Sequence, residues 1–303
     1  MMQRWLWAAV FIALGGTASA ATTWPDDKPF VSAEWLKTQA GNDDLLLLHI
    51  GRLDAFQAGH IAGARFAPID LFMHKDPAPD ALTMELPTAD ELRPALEQLG
   101  ISDTSKVVIY NKAATLPAAT RVIFTFRAAG LGDRIRLLDG GFEAWHSAGY
   151  PDTQTDPAIT PGKLSAFQMQ APVVDASFVQ GHLNSAGYKV VDARAPEFYS
   201  GEQVGGTAGQ PHLKGHIAGA VSIPYSSITG ADQKLKSPAE IEASFTAAGF
   251  KPGDKAIVYC HIGQQASAIV FAARSVGIDA LLYDGSFQDW SRRKLPVEAT
   301  PGK

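Results

Sequence analysis

One cysteine in 303 residues is the scarcest feature of this chain. A single thiol excludes an intramolecular disulfide framework and every Cys-rich zinc or iron–sulfur site. Excess positive charge is lacking too. The formal net charge is -5, which argues against general nucleic-acid binding, because that needs a basic surface to displace counterions. Charged residues make up 19% and hydrophobic ones 46%, a globular balance that excludes disordered, collagen-like and coiled-coil chains. Past residue 20 no run is long and apolar enough to cross a bilayer. What remains is a chain of a length that suggests about two domains.

The first twenty residues read as a secretory signal. Arg4 gives a positive start, Leu6 to Leu14 is an uncharged apolar run, and Ala18-Ser19-Ala20 has the small-x-small pattern of a cleavage site. The apolar run is too short to span a membrane, and it has no polar face, which speaks against an uncleaved amphipathic anchor. The expectation is an exported, periplasmic protein with no membrane association after cleavage.

The remainder repeats itself. Gly-His-Ile-Ala-Gly-Ala occurs at 59–64 and again at 215–220, an offset of 156. Val107-Val108-Ile109-Tyr110 returns as Ala256-Ile257-Val258-Tyr259 at an offset of 149, and Leu138-Asp139-Gly140-Gly141-Phe142 as Tyr283-Asp284-Gly285-Ser286-Phe287 at 145. Trp145 and Trp290 share the last offset. Blocks in one order at nearly one spacing mean duplicated domains, since the period is too long for a solenoid. The falling offset places an insertion early in the second copy. Gly201–His212, with four glycines and a proline, is where it should lie. The domains are then 21–150 and 173–303, joined by a Pro/Thr/Gln-rich linker at 151–172.

Within each copy short apolar runs alternate with helical patterns. Leu45–Ile50, Val107–Tyr110 and Arg136–Leu138 read as strands, matched by Lys189–Asp192, Ala256–Tyr259 and Ala280–Tyr283. Runs apolar on both faces suit parallel strands covered by helices. Helices are expected at 88–98, 118–129, 237–248 and 265–276. The first and third open on Thr88 and Ser237, and all four stop before a glycine. This is the pattern of an α/β domain, a mostly parallel sheet flanked by helices.

Cys260 follows the strand Ala256–Tyr259 directly, and a helix begins soon after. In α/β folds the carboxyl end of a parallel strand is where ligands sit. A loop entering a helix turns several backbone N–H groups inward, and these donors with the helix dipole favour a thiolate. Gly263 lets the backbone curl round the sulfur. A lone cysteine is often only a small buried hydrophobe. Against that, a free thiol is a liability in an exported protein. The matching place in the first copy holds Asn111, which cannot be a nucleophile, so the first domain is expected to be catalytically inactive.

The arrangement resembles the tandem-domain form of the rhodanese family of sulfurtransferases. The carrying residues are Val190-Val191-Asp192-Ala193-Arg194, the second Gly-His-Ile-Ala-Gly-Ala block, Ile257 to Ala266, and Tyr283 to Phe287 with Trp290. The resemblance covers essentially the whole chain after the leader and implies two rhodanese-like α/β domains. It implies that Cys260 takes a sulfane sulfur from a small anion such as thiosulfate, becomes a persulfide, and passes the sulfur to cyanide, a thiol or a protein acceptor. The backbone of His261, Ile262, Gly263, Gln264 and Gln265 would hold the persulfide. No cofactor, metal or nucleic acid is implied.

Two positions depart from the family pattern. The residue after the cysteine is often arginine in thiosulfate-using members and glycine in mercaptopyruvate-using ones, and here it is His261. A substrate-binding arginine is usual four residues after Arg194, where Phe198 stands. His261 is either a substrate donor or a solvent-facing loop residue. Asp192 and Arg194 read as a supporting ion pair beneath the site. In the first copy His49-Ile50-Gly51-Arg52 matches them, the aspartate lost and the arginine kept. His212 and His216 have an i, i+4 spacing that on a helix can bind a metal. In a glycine-rich loop a turn or strand-entry role is the better reading. Trp145 and Trp290 read as core, and Asp139-Gly140 and Asp284-Gly285 as turns.

Two other functions compete. A cysteine phosphatase needs a longer loop ending in an arginine that clamps phosphate. Here Ala266, Ser267 and Ala268 follow, and the next arginine is Arg274. A non-enzymatic sulfur carrier or partner-binding module, docking through the Asn111 copy, is the other alternative.

Overall fold

The computed structural model describes residues 21–299 except 113–115, 171–172 and 233. The leader at 1–20 and two linker residues lie outside the described residues. No described helix is long and apolar enough to cross a membrane.

Each expected strand forms and joins a five-stranded parallel sheet. The first runs Phe30–Val31, Ile135–Leu138, Lys106–Lys112, Leu45–Gly51, Ala64–Phe66 across its width. The second repeats the order with Val173–Val174, Ala280–Tyr283, Lys255–Tyr259, Tyr188–Asp192, Val221–Ser222. Central strands are buried on both faces because helices cover both, which is why they read as continuous apolar runs.

The duplication holds at the level of single bonds. The Tyr110 hydroxyl accepts the Ile61 N–H at 3.2 Å, and the Tyr259 hydroxyl accepts the Ile217 N–H at 3.0 Å. Trp145 Nε1 donates to the Pro151 carbonyl as Trp290 Nε1 does to that of Pro296. Both tryptophans are core residues, each on a short helix. The helices Ala89–Gln98 and Pro238–Ala247 both begin with a capping box, Thr88 with Glu91 and Ser237 with Glu240, which satisfies otherwise unpaired first-turn amides.

The insertion is real. Two residues separate the helix Leu53–Gln57 from the strand His60–Ile61, whereas fifteen separate Pro196–Ser200 from His216–Ile217. The extra chain forms a small hairpin pairing Gly206–Thr207 with Gln210–Pro211. The stretch between the domains packs on the first: Leu164 is fully buried in its core, and its N–H and carbonyl bond Glu97 and Arg93.

The two sheets meet through matching helices, Leu116–Ala128 of the first copy and Gln264–Ser275 of the second. Alanines let them approach closely. Thr120 Oγ1 and Ser267 Oγ share a hydrogen bond of 3.0 Å across the seam. The helix that leads away from Cys260 is therefore also one wall of the domain interface.

Candidate active site

The strand Lys255–Tyr259 ends at the centre of its sheet, and Cys260 is the next residue. Its side chain is 1% exposed and packs among Val191, Ala193, Val258 and Ala266. The loop His261–Gly263 then turns the chain into the helix beginning at Gln264, whose first-turn N–H groups have no carbonyl behind them. Gly263 takes φ +88°, and a Cβ there would press on the Asp284 carbonyl oxygen at 3.0 Å and on Arg121 at 3.1 Å. Only glycine accepts that conformation without strain.

Cys260 is fixed from the neighbouring strand end. Its N–H donates to Ser286 Oγ at 3.2 Å, and that hydroxyl donates to the Tyr283 carbonyl at 2.9 Å. The Cys260 and His261 carbonyls accept from Phe287 and Gln288 N–H, each at 3.0 Å. Ser286 adopts φ +52°, a strained conformation for a residue with a side chain.

Below the loop lies the Asp192–Arg194 pair. Arg194 is 1% exposed, grips the carboxylate through Nε and Nη2, the latter at 2.6 Å, and donates to the Gly215 carbonyl. Its charge stands 3.9 Å over the Phe287 ring. Burial opposes that charge, but the Asp192 carboxylate outweighs burial and attraction to Cys260 adds to it, so Arg194 stays firmly protonated. Asp192 also accepts from the Tyr259 hydroxyl at 2.7 Å.

The residues after Cys260 and those packed on them have distinct surroundings. His261 is half-buried rather than solvent-facing, with its ring edge-on to Phe198 at 4.6 Å. His212, at the end of the inserted hairpin, stands 5.6 Å from His261, so the metal-like i, i+4 spacing does not bring it to His216. His216 instead enters a strand, donates Nδ1–H to the Tyr199 carbonyl and stacks on the Tyr199 ring. Burial first, then the Arg194 charge, lowers His212 and His261 to about 4, so both rings are neutral at pH 7. Each has a buried Nδ1 without a partner, as Gln265 has a buried Oε1. Ile262 is half-buried, and the Gln264 carbonyl accepts from Ser267 Oγ.

One expectation fails in the first copy. Sheet register matches His49 with Asp192, because they face Tyr110 and Tyr259. Gly51 then matches Arg194, and Arg52 matches Ala195 at the start of the next short helix. Arg52 is exposed and pairs with Asp54, so the buried arginine is lost together with the aspartate. Asn111 does stand where Cys260 does, but the first strand continues through Lys112 in register with Gly51.

Two contributors escaped the sequence reading. Arg121, fully buried in the first domain, donates to Asp284 Oδ1 at 2.7 Å and to the Met84 carbonyl. Asp284, read only as turn chemistry, thereby ties the loop after Cys260 to the other domain. No local motif marks a cross-domain partner. His212 was legible only as a loop residue, because its neighbour lies 49 positions away.

The sequence pattern of the rhodanese-like domain matches residues 32–148 and 175–293. A 3-mercaptopyruvate sulfurtransferase of Rattus norvegicus is 32% identical over 292 residues, covering 89% of this chain and 94% of its own length. A probable 3-mercaptopyruvate sulfurtransferase of Pseudomonas aeruginosa is 30% identical, covering 78% of this chain and 82% of its own. A putative thiosulfate sulfurtransferase of Synechococcus elongatus is 27% identical over 97% of this chain and 93% of its own. Among solved structures, the anaerobic ergothioneine biosynthesis enzyme from Chlorobium limicola, in complex with trimethyl histidine, superposes with a TM-score of 0.78 at 25% identity. It covers 89% of this chain and 70% of that one.

Proposed function

The chain belongs to the rhodanese-like family, and from that membership we propose an exported sulfurtransferase that works through a persulfide on Cys260. The observation that carries the assignment is the placement of this one thiol between a central strand and a helix N-terminus, with Asn111 in the matching place of the other copy.

The chemistry follows from the donors around the sulfur. The Cys260 thiolate attacks the outer sulfur of thiosulfate. The sulfur–sulfur bond of the donor breaks, sulfite leaves with the electron pair, and a persulfide remains. The amides of His261 to Gln265 would hold that negative sulfur, with the helix dipole behind them. Cyanide or a thiolate then attacks the outer sulfur, and Cys260 leaves as the thiolate it began as. No general base is required if the thiolate is already formed.

The surroundings bear on the donor. Neutral His261 and Phe198 stand where the family often places arginines, so the positive elements left near the loop are the helix terminus and two arginines already paired with carboxylates, Arg194 with Asp192 and Arg121 with Asp284. That weakens the hold on a dianion such as thiosulfate and keeps 3-mercaptopyruvate in play. Export rests on the pattern at 1–20.

Thiocyanate formation from thiosulfate or 3-mercaptopyruvate with cyanide tests the reading. Wild type should turn over at least one donor, and Cys260→Ser should turn over neither. Mass spectrometry after donor treatment should find a gain of about 32 Da, one sulfur atom, on Cys260. Activity persisting in Cys260→Ser would remove the nucleophile, and silence with both donors would leave a sulfur-carrier or binding role.

A further inference from the structure

A cleft of about 510 Å³ lies between the domains and does not reach Cys260. Ser267 and Arg274 both line it, so it runs along the helix Gln264–Ser275 toward the end remote from the catalytic loop. At 1.5 Å per residue, Arg274 lies about 15 Å down that helix from Gln264. Ile123 and Phe124 of the first domain face Val270 and Phe271 of the second across it. Its size and apolar walls suit a small organic molecule.

Its charges are unusual for a protein of net charge -5. Lys28, Arg127, Lys236 and Arg274 line it against two carboxylates, Asp26 and Asp27. Lys28 pairs with Asp26, and Lys236 bonds the Ser227 carbonyl. The two arginines come from the last turns of the two seam helices. A helix C-terminus favours a cation, which accounts for an arginine on each helix but not for bringing the two together from separate domains in a partly dry cleft. Burial disfavours the charge on each, and Arg127 further disfavours that on Arg274. Asp133 and Asp279 only partly offset this, and Asp279 is engaged by Lys255 at 3.0 Å. Among the described residues the Arg127 side chain makes no ion pair or hydrogen bond, and the Arg274 side chain makes one bond, to the Ala280 carbonyl.

We propose that this cleft binds an amphipathic organic anion, its carboxylate or sulfonate between Arg127 and Arg274 and its apolar tail along the cleft wall of Phe124, Val270, Leu235 and Ile241. A guanidinium pair is matched by an oxyanion, and the walls offer an apolar tail nothing polar to lose. The leader of the same chain is a poorer occupant, since its one charge is the cation Arg4. A ligand touching both domains would stabilise their docking by mass action.

Calorimetric titration of the full chain with sodium dodecanoate, below its micellar concentration, tests this. One equivalent should bind saturably and dodecyltrimethylammonium at least tenfold more weakly. Arg127→Gln/Arg274→Gln should lose at least tenfold in dodecanoate affinity, while Arg127→Lys/Arg274→Lys, which keeps both charges, should lose less. Cys260→Ser should bind as wild type does. Absence of saturable dodecanoate binding, equal binding of the cationic surfactant, or equal affinity of the Gln double variant would each overturn the proposal. The comparison of the two surfactants on wild type holds even if a variant fails to fold.

Discussion

Replacing Arg121 by methionine should damage the protein twice, once in stability and once in rate. The side chain is 0% exposed and donates to Asp284 Oδ1 at 2.7 Å and to the Met84 carbonyl. Methionine keeps much of the volume and removes every donor. Asp284 would keep one bond, from the Leu86 N–H to its other oxygen at 2.7 Å, and would hold an uncompensated charge in a nearly dry place. Removing one partner of a buried pair costs about 3–5 kcal/mol, most of it the price of the stranded charge. Asp284→Asn in the same background removes that charge. The double variant should therefore be more stable than Arg121→Met alone, with a coupling of about 2 kcal/mol or more.

The rate should fall because the same contact braces the loop. Arg121 and the Asp284 backbone are the atoms that a Cβ on Gly263 would meet, so they wall the turn that follows Cys260. A displacement of the order of 1 Å at a reacting group costs as much as about 10²-fold in rate. We expect kcat for thiocyanate formation to drop at least tenfold in Arg121→Met, with far-UV circular dichroism unchanged. Urea unfolding and initial rates on the two single variants and the double give both quantities. Additivity within about 0.5 kcal/mol would refute the cross-domain coupling. A destabilised variant with an unchanged kcat would refute the bracing of the loop.

Other perturbations bear on the same site. Phe198→Arg, which restores a positive charge beside His261, should lower KM for thiosulfate by about tenfold, the worth of one charged hydrogen bond; an unchanged KM would show that the anion binds elsewhere. His212 and His261 are held near 4 in the folded chain against 6.5 unfolded, so their neutrality costs nothing above pH 6.5. As pH falls from 6.5 toward 4 the unfolded chain takes protons first, and stability should drop by up to about 3 kcal/mol for His212, which is 8% exposed. His212→Gln should show a smaller drop in urea midpoint between pH 7 and pH 5, and an equal drop would contradict the assignment. Asn111→Cys in a Cys260→Ser background should not form thiocyanate, because Asn111 remains inside a strand paired with Ile50.

Most of the fold was legible because its signals are local. Central strands announce themselves as short runs apolar on both faces, and Thr88 and Ser237 announce the helices they cap. The two-residue edge strands Phe30–Val31 and Val173–Val174 were not legible, since two residues carry no periodicity. Cys260 was legible from one junction, strand then helix. Its surroundings were not. His212 meets His261 only because an insertion folds back, and Arg121 meets Asp284 only because two domains dock. The Arg52 error has the same root: counting along the sequence aligned arginine with arginine, while the sheet register aligns Gly51 with Arg194.

The two copies show which parts of the site the fold needs and which the sulfur needs. Both keep the tyrosine hydroxyl that receives an N–H from the strand after the short helix, and both keep the tryptophan that closes the last turn. These are framework. Among the described residues only the second copy has a buried Asp–Arg pair under the strand end, where the first has His49 bonded to Tyr110 and lowered to about 4 by burial. Only the second has a serine, Ser286, receiving the N–H of the residue after the strand. Its first-copy counterpart is Gly141, where any Cβ would lie 2.7 Å from the Asn111 carbonyl. The first copy therefore differs by more than one substitution. It has no counterpart of Arg194, of the Ser286 hydroxyl or of the Cys260 thiol, yet it supplies Arg121 to the loop after Cys260. Its helix Leu116–Ala128 is buried along nearly its whole length, between its own sheet and the helix Gln264–Ser275 of the second copy. A copy that lacks the cysteine but keeps the docking helix is what is expected of a domain kept to hold its twin in shape.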